Sequence, residues 1–265
     1  MDVRLALCFA LLAVVPVGCL GTTSDGAAGD CPLTEPRGRV AIEVFQTPQW
    51  NGMDIVGTFQ RSPDARDAIR CQRRTVGACV VNQCSNVGID FVNGEPMCSG
   101  ANPGTLVVTR AGSNTFQVNG SARVTLDRAL MSGETLALRT TGGDVPAFTA
   151  TLTVPARTRV TAPEGLVNGR GVNLARGEDL RVTWEPTTSR VALLVTDAYG
   201  LQSTTECVFD GAAGVGTIPA NALIERPGHV GVYTLEESSL QVGVFPVTLR
   251  VRWFADARAF LSVAE

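Results

Sequence analysis

Lysine is missing from this chain: all 22 basic residues are arginine, set against 25 Asp and Glu for a formal charge of −3. Its absence excludes a phosphate-loop lysine, a Schiff base to pyridoxal phosphate and a Ser-Lys hydrolase dyad. Histidine is nearly missing too, His229 in RPGHVG being the sole one. A zinc-hydrolase pair of histidines on one helix therefore cannot exist, and a catalytic triad would depend wholly on His229, which reads as an ordinary loop residue. No G-x-S-x-G occurs to supply a serine elbow. A near-balanced charge gives neither the basic field that nucleic acid needs nor an acidic tail, so nucleic acid is not an expected partner.

What is present begins with a targeting pattern. Residues 1–18 combine Arg4, an apolar stretch from Leu5 to Val17 and a small Gly18. The apolar stretch is shorter than the ~20 residues a bilayer-crossing helix requires, so it reads as a signal peptide. The residues up to Cys19 resemble the lipobox of bacterial lipoproteins, which implies a diacylglycerol thioether and an acylated amino group on Cys19, with Pro16 standing where that family favours Leu. The expected partner is then a membrane, reached through the lipid, and the expected location is the cell envelope. Leu20 is unlike the Asp that retains some such proteins at the inner membrane, which favours the outer one. Residues 19–38 read as a lipidated tether poor in anything to bury, and the 11 residues before Cys31 would span ~18 Å as a flexible coil.

Cysteine count fits export. Setting aside Cys8 in the signal segment and Cys19 under lipid leaves Cys31, Cys71, Cys79, Cys84, Cys98 and Cys207. An even set in an oxidising compartment reads as three disulfides, and the spacing from Cys71 to Cys98 lacks the paired C-x2-C knuckles of most zinc sites. Fifteen connectivities are open. The arrangement favoured by clustering puts two bridges among the four close cysteines and joins Cys31 to Cys207.

From Val40 onward the hydrophobic period is two. AFTATLTV places Phe148, Ala150, Leu152 and Val154 on one face and threonines on the other, and Phe245 to Trp253 alternates apolar residues with Pro246, Thr248, Arg250 and Arg252. The second segment predicts a core strand with a cationic outer face. Asn-Gly pairs at 51, 93, 119 and 168 mark tight turns, with a hairpin expected across Asn119-Gly120. Residues 62–70 read as a surface loop and Pro219 to Arg226 as a helical turn or two. The fold class is therefore all-β, as two tandem antiparallel sandwich-like, immunoglobulin-like domains: a cysteine-rich domain over 39–155 and a second over 160–262.

The stretches TVGACVVNQC, SGETLALRTTGGDVPAFTATLTVP, DLRVTW and CVFDGAAGVGTIPANAL resemble segments of uncharacterised exported lipoproteins of GC-rich predatory deltaproteobacteria. That resemblance covers most of the mature chain and implies envelope location and a β-sandwich second half; it implies no activity.

Candidate chemistry is sparse. Glu178-Asp179 and Glu236-Glu237 are adjacent carboxylates at expected strand edges or turns, where neighbours point to opposite faces. Asp90, Asn93 and Glu95 lack the dense oxygen ligands of a calcium loop. Trp184 and Trp253 fall on apolar registers and read as core, whereas Trp50 sits at an expected loop tip and is a candidate contact. Arg66, Arg70, Arg73 and Arg74 form the one basic cluster, suited to an anionic glycan or headgroup. No cofactor and no metal is expected. The reading is an envelope-anchored, non-catalytic binding or structural lipoprotein, its loops engaging a protein or glycan. The alternatives are a secreted inhibitor or toxin-like component using the Cys71–Cys98 loop, and a carboxylate-dependent glycan hydrolase.

Overall fold

The computed structural model describes residues 36–46, 51–60, 71–84, 91–92, 95–96, 101–110, 115–119, 121–126, 128–197, 203–223 and 228–264. In chain order the strands begin with β1 (Arg37–Gln46), β2 (Asn51–Gln60), β3 (Cys71–Val76), β4 (Cys79–Cys84), β5 (Phe91–Val92) and β6 (Glu95–Pro96). They continue with β7 (Leu106–Arg110), β8 (Thr115–Val118), β9 (Ser121–Thr125), β10 (Thr135–Thr140) and β11 (Thr149–Thr153). After β12 (Val160–Ala162) comes one helical turn, α1 (Glu164–Val167), then β13 (Val172–Leu174), β14 (Leu180–Trp184), β15 (Arg190–Asp197), β16 (Ser203–Phe209), β17 (Val215–Ile218), β18 (Gly228–Val242) and β19 (Phe245–Val263).

The protein is all-β. Ten strands form one sheet in the order β3-β4-β16-β15-β18-β19-β1-β2-β9, with β13 also paired to β19. Two smaller sheets, β11-β10-β7-β8 and β12-β14-β17, complete the sandwiches. Most pairings are antiparallel, but β1 and β13 both run parallel to β19, so the large sheet is mixed.

The hairpin β18–β19 is the axis of the molecule. Gly243 at φ +56° makes the two-residue turn between Val242 and Phe245, a backbone state glycine adopts at no steric cost. Even-numbered residues of β18 and odd-numbered residues of β19 share one face. Near the turn that face presents Val242, Phe245, Val247, Leu249, Val251 and Trp253 to a first core, shared with β1, β2 and the four-stranded sheet. At the far end it presents Val230, Val232, Ala257, Ala259 and Leu261 to a second core, shared with β15, β16 and the three-stranded sheet. In the second core Trp184 is buried and donates its indole N–H to the Gly211 carbonyl at 2.9 Å. Gly211 is needed there because a Cβ would fall 1.9 Å from the Ser189 carbonyl oxygen.

The expected boundary at 155–160 lies between β11 and β12, yet the cores do not divide at it. The first core takes 242–253 from the C-terminal segment, and the second takes Cys79 and Val81 from before the boundary. The hairpin expected across Asn119-Gly120 does not form. β8 pairs with β7 in the four-stranded sheet and β9 with β2 in the large one, so the chain changes sheets there. Val118 and Leu126 enter the same core from its two opposite walls. Alternation says that a strand buries one face, not which neighbour it pairs with. Asn51-Gly52 lies within β2, and Asn168-Gly169 ends α1, with Gly169 at φ +68°. At 93–94 the flanking pairs Val92/Glu95 and Phe91/Pro96 do form a two-residue hairpin, and Ala220–Ala222 is the expected helical turn.

Candidate functional site

Among the described residues, a cluster of buried charge lies on the outer face of the large sheet, where Ala192, Tyr233 and Leu235 form a small third apolar cluster apart from the two larger cores. Pleating puts Tyr233, Leu235 and Glu237 of β18 on that face with Arg250, Arg252 and Phe254 of β19, and register sets Arg252 between Glu43 of β1 and Leu235. The small Ala192 of β15, opposite Tyr233, leaves room for the two arginine side chains to reach Glu206 on β16. Arg250 donates Nη1–H to both Glu206 oxygens at 3.1 Å and pairs through Nε with Glu237. Arg252 reaches Glu206 at 3.2 Å and Glu43 at 3.1 Å, with its guanidinium 4.8 Å from the centre of the Tyr233 ring. The Tyr233 hydroxyl donates to Glu206.

Two guanidiniums face three carboxylates, so the cationic face expected for this strand is neutralised and, at Arg252, only 6% exposed. Burial works to raise the pKa of Glu206. The charges of Arg250 and Arg252 and the hydrogen bonds from Tyr233 and Arg250 outweigh it and hold the carboxyl below its ordinary value. Tyr233 moves upward, first through burial and then through the neighbouring carboxylate, which leaves it a protonated donor. Burial pulls Arg250 down, but Glu206 and Glu237 more than compensate and raise it. Each charge in this cluster has an opposite partner, an arrangement that fixes strand positions.

The residues picked out by sequence are scattered. Cys19, Cys31, Cys98, Trp50, Arg66 and Arg70 lie outside the described residues. Arg73 and Arg74 are exposed on β3, the edge strand of the large sheet, where Arg74 donates to the Asn221 carbonyl at 2.6 Å. Cys207 does not pair with Cys31. It is bonded to Cys79, and both are fully buried in the second core. The cause is topological: β4, although distant in sequence, lies beside β16 and sets Cys79 directly opposite Cys207. Trp253 is buried as expected, with the Arg157 guanidinium 4.1 Å from its ring centre. His229 lies in β18, not in a loop, half-buried edge-on against Phe260.

The adjacent carboxylates hold backbone and side chains in place. Glu178 accepts from the Ala175 N–H and Asp179 from the Ala220 N–H, both at 2.8 Å. Glu236 is not at an edge. It sits mid-strand between the two cores and accepts from the Ser189 hydroxyl at 2.7 Å, while Ser189 Oγ in turn accepts from the Ala156 N–H.

Among the described residues, two concavities stand out. One of about 610 Å³ lies on the open face of the four-stranded sheet, lined by Thr109, Thr115, Arg139, Thr149 and Thr151 with Val107 and Ala137. Period two produces it: these are the polar-register partners of the residues that fill the first core. The other, about 370 Å³, lies where the chain crosses between sandwiches, lined by Arg157, Arg159, Val160, Val167, Ala255 and Ala257. The threonine face was visible in AFTATLTV, but nothing in the sequence announced the junction cleft.

No protein-family model and no curated protein matches this sequence. Among solved structures, one similar chain is a tetra-tandem repeat from the extending region of a large adhesion protein, at 15% identity and a TM-score of 0.20. The alignment covers 84% of this chain and half of that one.

Proposed function

We propose that the protein is an exported, lipid-anchored binding or structural component of the cell envelope, held to a membrane through Cys19 and presenting its paired sandwiches to a protein or glycan. The buried Cys79–Cys207 cystine carries the export part of this reading, because such a bond persists in an oxidising compartment. The signal peptide over 1–18 and the lipobox-like approach to Cys19 supply the route and the anchor. Two further features support a non-catalytic role. The carboxylate pairs are engaged in structural hydrogen bonds, and the open face of the four-stranded sheet offers hydroxyls and one guanidinium, groups suited to a polar, sugar-like surface.

Metabolic labelling with a fatty acid tests the anchor. The wild-type protein takes up label and Cys19→Ala does not; label retained by Cys19→Ala removes the anchor. Co-sedimentation with isolated envelope glycan tests the face. Loss of sedimentation in Thr149→Arg/Thr151→Arg supports it, and no sedimentation of the wild type, or equal sedimentation of both, removes the glycan.

A further inference from the structure

The pairing of the remaining cysteines follows from strand register. In an antiparallel pair, residues opposite one another alternate between hydrogen-bonded and non-hydrogen-bonded positions, and the latter bring their Cα atoms closer, to ~4.5 Å. The Val208 N–H donates to the Ala78 carbonyl, one step beyond Cys207 and one before Cys79. That bond marks Cys79/Cys207 as a non-hydrogen-bonded pair, and its Cα atoms are 3.9 Å apart. The backbone of Cys79 therefore turns its own N–H and C=O the other way, toward Val76 of β3, its partner across the two-residue Gly77-Ala78 turn. Counting five steps from that hydrogen-bonded pair along the β3–β4 ladder reaches Cys71 opposite Cys84. An odd number of steps makes this a non-hydrogen-bonded pair again, the same class of position as the pair that is bonded.

We infer that Cys71 and Cys84 form a second cross-strand disulfide. The same count places it on the outer face of the sheet, opposite the face on which Cys79 and Cys207 lie buried. The edge of the ten-stranded sheet is then laced covalently over three neighbouring strands, β3 to β4 on one face and β4 to β16 on the other. The bond also ties the chain arriving from 61–70 to the chain leaving toward 85–90. Cys31 and Cys98 are left for each other. In forming the bond, two thiols lose two protons and two electrons to the disulfide of an exported thiol–disulfide oxidase, which is reduced to a dithiol as the Cys71–Cys84 bond closes. The proposal rests on the export reading for this oxidant and not for the choice of partners.

Arginine and aspartate positions make the test direct. Trypsin with an Asp-specific protease places Cys71 in the tripeptide 71–73, Cys79 and Cys84 in 75–89, Cys98 in 90–110, Cys31 in 30–37 and Cys207 in 197–209. Mass spectrometry of non-reduced, alkylated full-length protein from its exporting host should show 71–73, 75–89 and 197–209 as one linked species, with 30–37 linked to 90–110. The tripeptide linked to 90–110 or 30–37 overturns the pairing while leaving export intact, and alkylation of all six thiols removes both. In Cys71→Ser the newly alkylated thiol should be Cys84, on a 75–89 fragment still joined to 197–209. Alkylation of Cys98 in that variant overturns the inference, and the wild-type map decides the matter if the variant does not fold.

Discussion

The two cores are closed by different means. In the first, Arg110 at the end of β7 is 1% exposed and grips the segment 128–134. It donates to the carbonyls of Arg128 at 2.8 Å and Ala129 at 2.6 Å, and forms a two-point ion pair with Glu134, whose second oxygen also accepts from the Met131 N–H at 3.0 Å. In the second, the fastener is the Cys79–Cys207 cystine, which joins strands 128 residues apart in sequence. Both cores lean on the same hairpin, so the contrast separates two kinds of cross-link on one support. A buried ion pair constrains the folded state and responds to pH; a cystine constrains the unfolded chain and responds to reductant.

Breaking the first fastener should have the larger effect. Arg110→Ala takes the donor from two carbonyls and leaves Glu134 with the Met131 N–H and the more distant Arg128, and removing one partner of a buried pair costs about 3–5 kcal/mol. Urea unfolding should show that loss at neutral pH, and a change below about 1 kcal/mol would mean solvent replaces the guanidinium freely. Replacing both Cys79 and Cys207 by alanine should cost about 2–5 kcal/mol, the usual range for a native disulfide. In that variant a reductant should no longer change the urea midpoint through this bond, whereas Arg110→Ala should keep its reductant sensitivity.

Acid should weaken the fold through its ion pairs, with a smaller effect. Arginine partners hold both Glu134 and Glu206 below the ordinary carboxylate value, against the opposing pull of burial. Depressed folded-state pKa values mean that this stability is fully present above the unfolded carboxylate value, about 4.3, and is lost as pH falls through the folded values. The urea midpoint of the wild type should hold from neutrality to about pH 5 and then drop. Glu206→Gln should start lower and fall less steeply, and a slope identical to wild type would show that Glu206 does not titrate with folding.

Much of the strand pattern was open to reading because burial on one face imposes period two wherever apolar residues are large. Phe148 to Val154 and Phe245 to Trp253 are of this kind, as is the placing of Trp184 and Trp253 in cores. The continuation of β19 to Val263 was hidden by Ala255, Ala257 and Ala259, too small to mark a face by hydrophobicity although they occupy the inner register. Partners distant in sequence were hidden for another reason. Arg252 meets Glu43 across 209 residues and Cys207 meets Cys79 across 128, and such choices depend on strand order, which no local pattern encodes. The threonine face belonged to the readable part and the junction cleft to the hidden part. The sheet change at Asn119-Gly120 shows the same limit, since turn chemistry names a bend but not the sheet that receives the next strand.

One long hairpin, β18–β19, joins the two cores into a single cooperative unit, and differential scanning calorimetry of the wild type beside Leu249→Ala and Leu261→Ala can show it. Leu249 is buried in the first core and Leu261 in the second, and each truncation should cost about 2–5 kcal/mol. One transition is expected in all three proteins, with calorimetric and van't Hoff enthalpies in agreement, lowered as a whole by either substitution. Two resolved transitions, each moved by only one of the two substitutions, would contradict it.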